Sequence, residues 1–136
     1  MTDDPTRLQA GEIARRVQAG EISAVAVAEA HLARAGKVGP PLNTWITLDR
    51  EGALKAAKDV DAAVSAGKSP GPLAGVPVGI KDIIDVAGLP TTAGSLIDKE
   101  HVPAGDAPLT HRLRAAGAII LGKLNLHEYA FGPTGH

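Results

Sequence analysis

Two short apolar runs, Val76-Pro77-Val78-Gly79-Ile80 and Ala118 to Leu124, are separated by a loop of roughly 25 residues and one helical stretch. No other feature constrains the fold as strongly. Strands joined in this way cannot form a tight hairpin; they form a crossover unit, with parallel strands and a hand that is nearly always right. The proline of the first run cannot donate to a ladder, so it predicts a strand start or an edge. The second run is apolar at almost every position, which suits a strand covered on both faces. The chain is therefore expected in the α/β class.

The remaining elements follow from periodicity and punctuation. Leu8, Ile13 and Val17 share a loose helical face between Thr6 and Ala19, closed by Gly20. Ser23 is an N-cap candidate for an Ala-rich helix that ends at Gly36, before Gly39-Pro40-Pro41 breaks the chain. Asn43 to Leu48 contains good strand formers. Between Arg50 and Ser65, Ala53, Ala57, Val60 and Val64 form the clearest amphipathic stripe. Ser69-Pro70-Gly71-Pro72 reads as a hinge-like connector. Asp106 is the expected N-cap of a last helix, with Leu109, Leu113 and Ala116 as its buried stripe and Gly117 as its left-handed stop.

Composition narrows the function. Trp45, Tyr129 and Phe131 are the only Trp, Tyr and Phe, so the core is built from Ala, Val, Ile and Leu. A formal charge of −1 without a Lys/Arg cluster predicts neither a nucleic-acid nor a membrane-surface partner. With no cysteine, disulfides, thiolate metal sites and a thiol nucleophile are excluded. The start Met1-Thr2-Asp3-Asp4-Pro5 is unlike a signal peptide, and no apolar stretch reaches membrane-spanning length, so a cytoplasmic location is expected.

Ligands of parallel α/β sheets bind beyond the carboxyl ends of the strands. Two segments put polar residues there: Lys81-Asp82 with Asp85, Thr91, Thr92 and Ser95, and Lys123 with Asn125, His127 and Glu128. Gly79-Ile80-Lys81-Asp82 does not fit a phosphate-binding loop. His127-Glu128 lacks the second histidine of a zinc protease. Asp82 and Asp85 read as turn formers or lysine partners rather than metal ligands, so neither a metal nor a cofactor is expected.

Pro72-Leu73-Ala74-Gly75-Val76-Pro77-Val78-Gly79-Ile80-Lys81-Asp82, followed by Gly88-Leu89-Pro90-Thr91-Thr92-Ala93-Gly94-Ser95, resembles the lysine motif of the amidase-signature family. The resemblance continues through Ala116 to Asn125 and Glu128-Tyr129-Ala130-Phe131-Gly132, and covers essentially the whole chain. It implies amino-terminal helices plus part of a mixed, largely parallel sheet, incomplete. Residues 1–136 would be the amino-terminal part of one amidase domain, with a helical region at about 6–67 and a lysine-motif region at about 72–136.

The resemblance also implies amide cleavage by a Ser–cis-Ser–Lys triad in which Lys81 is the lysine. Out of that context, a lysine at a strand end is an ordinary surface residue. Such a mechanism needs a neutral amine; moving a lysine from ~10.4 to about 7–8 takes roughly 4 kcal/mol, which burial of the strand end would supply. Thr91, Thr92, Ser95 and Asn125 are, by the same resemblance, groups that line or support the substrate pocket; loop self-capping and an asparagine turn are the alternatives.

Only Ser23, Ser65, Ser69 and Ser95 are present, and none lies in the glycine-flanked double-serine segment the family uses. The expectation is a fragment that is inert alone, whose strand Ala118–Leu124 lacks neighbours supplied by the missing part. Expected partners are a small amide substrate of the complete enzyme and a carboxyl-terminal half. Two alternatives stand beside the hydrolytic amidase: the A-subunit of a glutamine-dependent tRNA amidotransferase, and a non-catalytic remnant or half of a split enzyme.

Overall fold

The computed structural model describes residues 4–133. Met1–Asp3 and Thr134–His136 lie outside the described residues. The elements run α1 (Ala10–Gln18), α2 (Ala24–Leu42), β1 (Trp45–Leu48), α3 (Arg50–Ser65), β2 (Pro77–Lys81), α4 (Pro108–Ala115) and β3 (Ile119–Leu124).

The sheet is mixed, in the order β1-β3-β2, with β2 parallel and β1 antiparallel to the central β3. Pro77 is the first residue of β2 and β2 is an edge strand, so the missing N–H falls where a ladder tolerates it. Ile119, Ile120, Leu121 and Lys123 are 0–5% exposed. The expectation that this strand lacks neighbours is therefore overturned, because β1, from the helical stretch, and β2 flank it within the chain.

One face of the sheet carries the main core. Ile119, Leu121 and Val76 pack with Ile13 and Val17 of α1, Val27 and Ala28 of α2, and Ala53 and Ala57 of α3. Fully buried alanines at 24, 28, 53 and 57 let helix backbones approach closely where larger side chains would hold them apart. The opposite face holds a smaller cluster of Ile80, Val86 and Ile120, covered by the long loop and by Leu113.

Caps show where sequence punctuation acts and where tertiary structure overrides it. Ser23 caps α2 as expected, its Oγ accepting from the Ala26 N–H at 3.0 Å. Asp61 of α3 adds a second cap, accepting from the N–H groups of Ala24 (2.6 Å) and Val25 (3.1 Å). Helix α2 does not stop at Gly36 but runs through Pro40 and Pro41. The carbonyls those prolines leave unbonded, at Gly36 and Lys37, belong to exposed residues that water can satisfy. Asn43, at φ 49°, ends the helix. Gly39 meets the indole of Trp45, where a Cβ would lie 2.8 Å from Cδ1.

Three further expectations change. Asp106 is not the N-cap of α4; that position is Ala107, and the Asp106 carboxylate accepts from the Ala87 N–H (2.8 Å) and Arg114 Nε (2.9 Å), tying loop to helix. Leu109 is 48% exposed, whereas Thr110 is buried and donates its hydroxyl to the Asp85 carbonyl at 2.7 Å. The Ser69–Pro72 connector is no hinge: Leu73 N–H donates to Ala116 O (2.7 Å), Gly75 N–H to Gly117 O (2.9 Å) and Gln18 Nε2 to Gly71 O (3.0 Å).

Both ladders of β3 are irregular. Against β2, the register advances by one between Val78 and Gly79, leaving Leu121 as the extra residue. Gly122, at φ 153°, completes the distortion, and a Cβ there would overlap the Thr47 carbonyl oxygen of β1. Gly122→Ala should therefore destabilise the chain by about 3 kcal/mol, combining backbone strain with overpacking. Chemical denaturation followed by circular dichroism checks this, and a loss within measurement error would contradict it.

Candidate active site

Alternation along β2 sends Ile80 into the smaller core and exposes Lys81 on the other face. Lys81 is the last residue of the strand and sits opposite Leu124 of β3. An open cleft of about 370 Å³ lies beyond these two parallel strand ends, lined by Lys81, Leu124, Asn125, Leu126, His127 and Gly132 among others. Among the described residues the Lys81 side chain forms no hydrogen bond or ion pair, and the residue is exposed rather than buried. Another cleft, at Ala56, Val60, Pro70 and Ile119, contains Asp59 and Arg114 but neither a lysine nor a serine.

The buried lysine is Lys123. Its side chain and that of Asp82 are both 0% exposed, and Nζ lies 2.7 Å from Asp82 Oδ1. Nζ also donates to the Pro90 carbonyl (3.1 Å) and to Thr91 Oγ1 (3.0 Å), so all three ammonium protons have acceptors. Asp82 Oδ2 accepts from the Thr92 N–H (3.0 Å) and from the Thr92 hydroxyl. The Asp82 backbone is held as well, its N–H by Leu124 O (3.1 Å) and its carbonyl by the Ala93 N–H (2.9 Å). Asp82 is thus a lysine partner, but of Lys123 rather than of its neighbour Lys81. Lys123, expected among the polar residues beyond the strand, lies inside β3, and a charged residue within an apolar run is itself a signal that a buried partner exists.

Most of the other site residues named from sequence divide between the two lysines. Thr91 and Thr92 are built around the Lys123–Asp82 pair. Ser95 is buried and joins neither lysine, its Oγ accepting from the Ile97 N–H at 3.3 Å. Only Asn125 joins Lys81 at the cleft, and its side chain is committed to the turn: Nδ2 donates to Asn43 O (3.0 Å) and Oδ1 accepts from the Leu126 N–H (2.9 Å). His127, which carried no role in the sequence reading, faces the same cleft, with its ring against Gly132 and Nδ1 buried without a partner among the described residues. Among the described residues that line the cleft, Lys81 and His127 are the two able to carry a proton. Among the described residues no group of three His, Asp or Glu side chains could hold a metal ion, and no helix is long and apolar enough to cross a membrane.

Tyr129 fastens the turn that carries His127. Its N–H donates to the Ala93 carbonyl (2.8 Å) and its hydroxyl to Asp98 Oδ2 (2.7 Å). That donation to a carboxylate pushes the phenol above its ordinary value, against a smaller opposing hydrogen bond with Ser95.

A parallel strand pair ending in a free lysine at an open cleft, braced from behind by a buried ion pair, defines an α/β protein with an amine-bearing site. A family model described as Amidase matches residues 26–136. The chain is 47% identical over 139 residues to the glutamyl-tRNA(Gln) amidotransferase A-subunit of Streptomyces avermitilis, covering 96% of this chain and 28% of the relative. Among solved structures, the peptide amidase of Stenotrophomonas maltophilia is 38% identical with a TM-score of 0.83, covering 90% of this chain and 26% of that one. A bacterial aryl acylamidase of the amidase-signature enzymes is 25% identical with a TM-score of 0.87, covering 94% of this chain and 27% of that one. The chain belongs to the amidase family, and it spans little more than a quarter of the length of the relative from Streptomyces.

Two outcomes test this geometry. Lys123→Met leaves Asp82 charged and buried without its partner, and should lower stability by about 3–5 kcal/mol in denaturant titration; a loss below 1 kcal/mol, roughly a surface pair's worth, would contradict the burial described. Because Tyr129 is the sole tyrosine, ultraviolet titration reads its phenol directly. Its midpoint should lie above the ordinary value of about 10 and return toward it in Asp98→Ala. With the folded value raised, the stabilisation from this bond is fully present below the unfolded value and is lost as pH rises through the folded one.

Proposed function

We propose that this chain carries the lysine of a serine-dependent amidase, with Lys81 acting as proton acceptor and donor in the cleavage of a carboxamide. The supporting observation is the contrast between the two lysines. Lys123 has all its protons committed inside the protein, whereas Lys81 stands free at the carboxyl end of a parallel strand, on a cleft. In this reading the neutral Lys81 amine takes a proton from a bridging serine, which takes one from the attacking serine as its oxygen bonds to the amide carbon. The proton returns by the same path to the departing nitrogen, and water then hydrolyses the acyl-serine.

Neither serine is among the four in this chain. Ser23 caps α2, Ser65 ends α3, Ser69 lies in the connector and Ser95 is buried behind the cleft. The nucleophile, the bridging serine and the oxyanion donors are proposed to come from sequence outside these 136 residues, as does the cover that would desolvate Lys81.

A second reading is favoured by the identity of 47–48% to amidotransferase A-subunits over 96% of the chain. There the same cleavage would release ammonia from glutamine for transfer, with ATP, magnesium and partner subunits. The two readings share the Lys81 step and differ in whether amide hydrolysis needs those partners. A remnant without catalysis, or one half of a split enzyme, differs from both in the activity of the assembled protein.

Ammonia release from simple amides and from glutamine is the test, made on the chain alone and with a complementary amidase-family segment that carries the double serine. The chain alone should be inactive. The assembled pair should be active, and Lys81→Met should reduce its rate by about a hundredfold or more. Undiminished activity in the Lys81→Met pair would overturn the assignment. Lys81-dependent hydrolysis by the chain alone would overturn the proposal that both serines come from elsewhere.

A further inference from the structure

Acyl transfer makes no use of Lys123, yet burying its charge costs several kcal/mol before its partners compensate. The β2–β3 ladder shows what the pair decides. Pro77 lies opposite Ile119 and Val78 opposite Ile120, but the register then advances, placing Gly79 opposite Gly122, Ile80 opposite Lys123 and Lys81 opposite Leu124. Residues opposite one another in a parallel pair project to the same face. Lys123 therefore shares the face of Ile80, where Asp82 and the Pro90–Thr92 loop receive it, and Lys81 shares the other face with Leu124.

An even ladder is the obvious competitor. Continuing the register of Pro77 and Val78 would set Gly79 opposite Leu121, Ile80 opposite Gly122 and Lys81 opposite Lys123. One residue of slip exchanges faces. Two ammonium groups would then stand side by side on one face, and Asp82 would be on the other, away from Lys123. The bulged ladder exchanges that repulsion for a 2.7 Å ion pair. Gly122 permits the bulge through its positive φ, but permission does not choose a register.

We infer that Lys123 and Asp82 are positioning residues: their buried pairing selects the bulged β2–β3 register, and this register sets Leu124 rather than a second ammonium group beside Lys81 on the face that meets the cleft. The inference gives the pair its purpose only if Lys81 is the reacting amine, as proposed above, but the register can be read without any activity. Asp82→Asn together with Lys123→Met removes both charges while keeping side chains of similar size, and paired removal of this kind is tolerated far better than removal of one partner.

Two readouts on the folded double variant test the inference. Nuclear Overhauser contacts between residues 79–81 and 121–124 should shift by one residue or split between two registers. The rate at which an acid anhydride acylates Lys81, measured by peptide mass spectrometry against exposed Lys55, should change by a factor of about five or more. Wild-type cross-strand contacts with an unchanged Lys81 rate would overturn the inference, since a pair that contributes only stability leaves both as they were. Should the double variant not fold, the unsubstituted chain still decides. The amides of Asp82, Thr92 and Ala93, all bonded through this junction, should exchange as slowly as those of β3. Fast exchange there, beside a protected β3, would equally overturn it. An active Lys81→Met enzyme would defeat the proposed function and leave the register result standing.

Discussion

An ammonium group sealed from water needs an acceptor for each of its protons, and Lys123 finds its three in two places distant in sequence from β3. One is Asp82, at the end of β2; the other is the Pro90–Thr91 stretch of the long loop. Asp82 in turn holds Thr92 and, through its backbone, Ala93 and Leu124. Long irregular segments in compact domains ordinarily have few fixed points. Here the loop following β2 is nailed to the centre of the sheet, so its course and the strand end before it belong to one rigid unit. The geometry of the cleft depends on that junction.

The two lysines divide the work of charge between them. A buried, fully bonded ammonium has no proton acceptor capacity left and serves architecture. An exposed amine with no partner among the described residues keeps its lone pair available once deprotonated, which suits the role proposed for Lys81. Their strand positions are adjacent in register, so the assignment of roles rests on alternation and on one bulge rather than on distance. The family match extends over both lysine-bearing strands and the loop between them.

Much of this was legible in the residues. The stripe of Ala53, Ala57 and Val60 marks α3 because helix period and burial coincide there, and Ser23 and Gly117 act as the punctuation they resemble. The crossover follows from spacing, and the motif around Lys81 identifies the family. What escaped was set by contacts between distant segments. Lys123 and Asp82 are 41 residues apart, and local sequence names neither as the other's partner. Thr91, Thr92 and Ser95 carry polar groups near the site, but in the folded chain the two threonines turn to the buried pair and Ser95 turns to its own loop. Pro40 and Pro41 signal a break that solvent exposure of the preceding turn makes unnecessary, and Asp106 caps a loop amide in place of a helix.

Trp45 and Lys81 both lie opposite Leu124, one on each side of β3, so the single indole of the chain shares a rung of the sheet with the candidate catalytic amine. Its ring rests on Gly39 at the end of α2, partly shielded from water. Indole emission depends on just such shielding. The protein thus carries a built-in optical probe at the level of its cleft, free of interference from any other tryptophan. Docking of a second segment across these strand ends could be followed by fluorescence without attaching a dye.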